Sequence, residues 1–159
     1  LGQRPLPRRG REGIRSFQFL SMFSSIRTAI VDKLKESEAL AFVYRTPRAK
    51  VDGFPVAVVS MPRRPREAEY NSTGSKDRLT LVFHVLVYYP LTTEDAREAE
   101  EVALEETMDE VLELFAERQA LAPACDWVEP VSVDFDEVTV GEGTFLQAEL
   151  IVRCVKFTG

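Results

Sequence analysis

The stretch 78–90, "RLTLVFHVLVYYP", decides the fold. Leu79, Leu81, Phe83, Val85, Val87 and Tyr89 alternate with Thr80, Val82, His84, Leu86 and Tyr88, the period of two that an extended strand requires. Both sets are largely apolar. The strand is therefore expected at the centre of a sheet, covered by helix on one side and by protein or a partner on the other.

Working outward, the next segment changes period. In 92–118, Leu104, Met108, Val111, Leu112 and Phe115 recur at helical spacing, and Thr92 with Asp95 has the spacing of a capping box. Eleven carboxylates lie between Glu94 and Glu117 against the single base Arg97, so the outer face of this helix is strongly negative. After it, 128–140 and 144–157 read as two strands. In the first, Val131, Val133 and Phe135 alternate; in the second, Leu146, Ala148, Leu150, Val152 and Cys154 face away from Gln147, Glu149 and Arg153. Gly141 and Gly143 between them predict a hairpin.

On the N-terminal side, Phe23, Ile26, Ile30 and Leu34 mark a helix running to about Leu40, with Ser24 or Ser25 as its N-cap. "AFVYR" (41–45) and "PVAVVSM" (55–61) read as short strands, separated by a loop broken at Pro47 and Gly53. The segment 62–77, "PRRPREAEYNSTGSKD", has no period and reads as a long connection. The expected order is α-β-β-β-α-β-β, an α+β fold with two helices packed on a largely antiparallel or mixed sheet.

At 159 residues the chain is large enough for one core, and 45% hydrophobic with 29% charged residues is an ordinary globular balance. Its net charge of −6 is unevenly placed. Residues 1–21 carry five arginines against Glu12, a local +4, and removing that leaves −10 for residues 22–159. Residues 1–21 are read as a basic leader, disordered arm or non-native extension, with Met22 as the natural start and 22–159 as the single domain. The acidic domain disfavours specific duplex binding through a basic patch, but it permits DNA to pass without being gripped. Cys125 and Cys154 form no C-x-x-C motif, and Cys154 is expected as a small core side chain in a reducing compartment. No run of residues approaches the length of a membrane span.

No catalytic constellation emerges. The one histidine, His84, lies in the middle of the best strand and is read as a sheet-facing residue. "TGSKD" (73–77) lacks the order of a phosphate loop and precedes a strand, and "NST" (71–73) matters as a sequon only in a secreted protein. Asp134, Asp136, Glu137 and Glu142 are read as a solvated strand face in preference to a metal site. Catalytic, cofactor-binding and metal-ligating residues are accordingly expected to be absent. In and beside the 62–77 connection, Arg63, Arg64, Arg66, Tyr70, Lys76 and Arg78 are interface-enriched types and form the candidate interface with a neighbouring subunit or tube.

The helix ending in "LKESEAL" (34–40), the "PVAVV" strand (55–59), the polar connection, "LTLVFHVLVYY" (79–89) and the acidic helix "AREAEEVALEETMDEVLELF" (96–115) carry a further implication. Together with the closing strand pair, over residues 22–157, their order resembles the tail-terminator or tail-completion (minor tail protein U-like) family of long-tailed bacteriophages. The resemblance implies a non-enzymatic virion protein without a cofactor. Such a protein assembles as a hexameric ring in the host cytoplasm, at the head-proximal end of the tail. It stops tube polymerisation and joins tail to head. The implied partners are further copies of itself, the tail tube protein, the head–tail connector protein, and genomic DNA passing through the lumen without specific binding; a membrane is not among them. A head–tail connector or neck component is the alternative. A small enzyme dependent on a divalent cation and a cellular ligand-binding domain are more remote ones.

Overall fold

The computed structural model describes residues 22–48, 51–62, 67–72, 74 and 77–158. Helix α1 covers 22–34. It is followed by β1 (Phe42–Tyr44), β2 (Val56–Ser60), β3 (Ala68–Ser72), β4 (Asp77–Pro90), α2 (Arg97–Leu114), β5 (Trp127–Val140) and β6 (Gly143–Thr158). The α+β class holds, with two helices on one mixed sheet.

Strand order in the sheet is β1-β2-β4-β6-β5, with β3 pairing to the first half of β4. The central strand is therefore the one whose two faces are both apolar. β1 and β2 are parallel, and every other pair is antiparallel. Leu79, Leu81, Phe83, Val85 and Val87 of β4 are buried together with Leu146, Ala148, Leu150, Val152 and Cys154 of β6. They form the floor of the main core. Ile26, Ile30 and Leu34 from α1 and Leu104, Met108, Val111 and Phe115 close it from above. Each large side chain buried there contributes about 1.5–3 kcal/mol by removal from water, which is what holds the helices to this face.

Three local expectations change. The 62–77 connection contains β3, whose AEYNS composition carries no strand pattern; its ladder to β4 supplies the order that propensity does not. Ser24 and Ser25 lie inside α1, where Ser24 Oγ accepts a hydrogen bond from Arg45 at 2.7 Å and caps nothing. α2 starts at Arg97 without a side-chain cap. Thr92 and Asp95 form no capping box; instead the Thr92 amide donates to the buried Glu100 carboxylate at 3.1 Å, and its hydroxyl donates to the same group. A helix residue thus fixes the segment that leads into its own helix.

Along β5 a register irregularity between Pro130 and Ser132 shifts the faces. Val133 then packs on the core, whereas Val131 and Phe135 remain exposed at the sheet's outer strand. No helix among the described residues is long and apolar enough to cross a membrane.

Candidate functional site

Side chains of neighbouring antiparallel strands that lie opposite each other share a face, so the register fixes what the uncovered side of the sheet presents. From β4 come Thr80, Val82, His84, Leu86 and Tyr88. Their partners on β6 are Val155, Arg153, Ile151, Glu149 and Gln147. All ten are only partly buried. This face mixes apolar and charged groups over four strands and no described helix covers it, although at its β2 end Tyr44, Val56 and Val58 are buried with Val51 and Phe54 packed against them.

At its centre, His84 stands between two carboxylates. Nδ1 is 3.0 Å from Glu149 Oε1, and Nε2 is in contact with Glu67 Oε2. A neutral imidazole offers one N–H and one lone pair, whereas an ionised carboxylate only accepts. Both contacts are hydrogen bonds only when the trio holds one proton more than a neutral ring and two carboxylates. The carboxylates meet opposite ring nitrogens, so the three groups share no point where one cation could sit, and no metal-binding group of three occurs among the described residues. The arrangement is a clasp. It holds Glu67, next to β3, onto the middle of the sheet, where the Val82 amide also donates to the Glu67 carbonyl at 2.7 Å.

Two depressions flank the clasp. One, of about 250 Å³, is lined by Tyr44, Val56, Val58, Leu86, Tyr88 and Phe145 among others. The Arg48 guanidinium lies 4.3 Å from the Tyr44 ring centre at this site. Burial, and then the Glu149 carboxylate, push the Tyr88 phenol above its ordinary range, so it stays a neutral donor there. The second, of about 480 Å³, lies at the other end of the open face. Glu69, Arg78, Trp127, Glu129 and Arg153 reach it from four strands, and Arg118 reaches it from the turn after α2. Trp127 packs edge-on against Phe157 at 5.2 Å, Arg118 lies 5.8 Å from the Trp127 ring, and Arg153 pairs with Glu129 at 2.8 Å.

Of the six candidate interface residues, Arg63, Arg64, Arg66 and Lys76 lie outside the described residues. Tyr70 and Arg78 are described and exposed, but they sit on opposite faces. Tyr70 pairs with Leu79, and Arg78 pairs with Asn71. Arg78 alone joins the open-face depression. Sequence reasoning missed its companions Arg118, Trp127 and Arg153, although the chain's one tryptophan and its neighbouring arginine are the residue types that mark interfaces. Glu67 carries no sequence signal at all, because only the β3 ladder brings it to His84.

Cys125 and Cys154 are both buried free thiols. The neighbouring Cys125 thiol, together with burial, pushes the Cys154 thiol well up, consistent with a core side chain.

No family model matches the chain, and no curated protein matches it. Among solved structures, one protein known only by a sequence identifier aligns over 86% of this chain and 94% of its own, at 19% identity and a TM-score of 0.46. The structure of the bacteriophage SPP1 gp17 protein aligns over 85% of this chain and 90% of its own, at 16% identity and a TM-score of 0.35. Both likenesses are distant.

Proposed function

We infer that this chain is a structural subunit of a tailed bacteriophage that works by assembling with copies of itself and with other virion proteins, and not by catalysis. The observation that carries the reading is the one-sided sheet. Helices cover one face; on the other, beyond the buried cluster at its β2 end, the partly buried Val82, Leu86, Tyr88, Ile151 and Val155 stand beside charged groups with no helix over them, leaving apolar area that a further protein surface can bury.

The finer role follows from the resemblance in element order over residues 22–157. The subunit closes into a hexameric ring at the head-proximal end of the tail, ends tube growth and joins the tube protein to the head–tail connector. A cyclic ring needs two different contact surfaces on each subunit. The open sheet face and the acidic helical face are two such surfaces. A net charge of −10 over residues 22–159 supports passage of DNA without specific binding.

The test is the mass of the purified protein by light scattering across concentration, with negative-stain imaging of the same sample. A closed ring near six subunits is the expected result. A monomer at every concentration, with and without added tail tubes, would sink the assembly reading.

A further inference from the structure

The open-face depression and the outer row of α2 are complementary. The depression holds Arg78, Arg118 and Arg153 against Glu69 and Glu129; Arg153 pairs with Glu129, whereas Arg78 and Arg118 are exposed and neither has a carboxylate ion-pair partner among the described residues. Trp127 lines the same depression and is 45% exposed, although a large aromatic ring left in water is unfavourable. On α2, Glu98, Val102, Glu105, Asp109 and Glu113 run along the flank that turns away from the buried row Leu104, Met108 and Val111, with Glu105 lining a separate depression shared with Phe135 of β5 and Glu106 exposed on the far side. The five flank residues follow one another at helical steps of three and four and form a single stripe. All five are exposed, and Val102 is 44% exposed. Arg97, the helix's only base, is engaged with Glu94, Glu101 and Glu137 and does not neutralise this row.

We propose that the Arg78–Arg118–Trp127 depression receives the Glu98–Glu113 stripe of α2 from a second copy of this chain. The cations face the carboxylates, and Val102 seats against Trp127, so apolar area is buried at the centre of a charged rim. The depression lies on the uncovered side of the sheet and α2 lies on the opposite side. The contact therefore runs front to back, is heterologous, and leaves one unused surface at each end of the assembly until a ring closes. A patch of arginines beside a tryptophan also suits nucleic acid, but the charge of the rest of the domain opposes a polyanion and the stripe is the nearer match.

This contact rests on the self-assembly reading, and the sole tryptophan separates the two. In the full-length chain, Trp127 emission is expected to move to the blue as the light-scattering mass rises with concentration. Arg78→Glu with Arg118→Glu, and separately Glu105→Lys with Asp109→Lys, are each expected to weaken self-association by on the order of a hundredfold, because like charges then face each other. Mixing the two variants, or combining all four changes in one chain, restores opposite signs and is expected to restore the mass. Far-UV circular dichroism of each variant checks that it is folded, and the rescue excludes misfolding as the cause of the loss. Assembly without the blue shift, or assembly of both double variants at wild-type strength, would overturn the contact while leaving self-assembly intact. A wild-type chain that never associates would overturn both. Loss of binding to a duplex DNA probe in the arginine variant, with assembly unchanged, would reassign the depression to nucleic acid.

Discussion

His84 is where a single residue decides most. Its ring separates two carboxylates that would otherwise repel each other on a partly covered sheet face. His84→Ala should cost about 1–3 kcal/mol in urea unfolding, the range for disrupting a buried polar contact. Glu67→Gln combined with His84→Ala should cost less than the sum of the two changes. An additive double-mutant cycle would show that the clasp does not couple them. Tyr88 gives a second residue-scale expectation. Its folded-state value lies above the ordinary phenol, so its contribution is intact below about pH 10 and is lost as pH rises through the folded value. The stability difference between wild type and Tyr88→Phe should therefore be flat at neutral pH and shift in favour of the phenylalanine variant above about pH 10. A difference that stays constant into alkali would show that burial does not penalise the Tyr88 phenolate.

At the scale of elements, α2 illustrates how a helix start is fixed from within. With no side chain at its cap position, the entry is held by Glu100 reaching back to the Thr92 amide and hydroxyl. Glu100→Ala should lower the urea midpoint by the equivalent of about 1 kcal/mol, the value of a typical helix cap, and Glu100→Gln by less, since it keeps an acceptor. Equal losses would mean that the charge, and not the hydrogen bond, anchors the entry. β3 shows the opposite dependence. Its five residues are all exposed, and its order comes from β4 through the ladder and from Glu67 through the clasp. The same dependence explains why the 62–77 segment reads as a loop: the residues that hold it lie on another strand.

For the whole molecule, one core spans both helices and the β4–β6 pair. Residues 22–159 should therefore unfold in one cooperative step, with Trp127 fluorescence and far-UV circular dichroism giving the same urea midpoint under conditions where the protein is monomeric. Two separated midpoints would divide the chain where the sequence reads a single domain. The charge is organised at this scale too. The carboxylates of α2 lie on one side of the sheet, and the Arg78–Arg118–Trp127 depression lies on the other. A subunit with two unlike surfaces on opposite sides is built for head-to-tail association.

By itself the sequence determined whatever depends on local period. The two-residue alternation of 78–90 placed β4 at the sheet centre, and the rows in 22–34 and 97–114 gave the core faces of both helices. Gly141, with φ +61, marks the β5–β6 turn that the glycines predicted. These signals are legible because burying one face of a strand or helix constrains every second, or every third and fourth, residue. Tertiary structure alone decided which distant residues share a surface. Glu67 meets His84 only through the β3–β4 register. Tyr70 and Arg78 part to opposite faces through the same register, and Arg118 joins Trp127 only where the turn after α2 runs back beside β5. No local pattern encodes such meetings, because they are set by strand order and pairing register across the sheet.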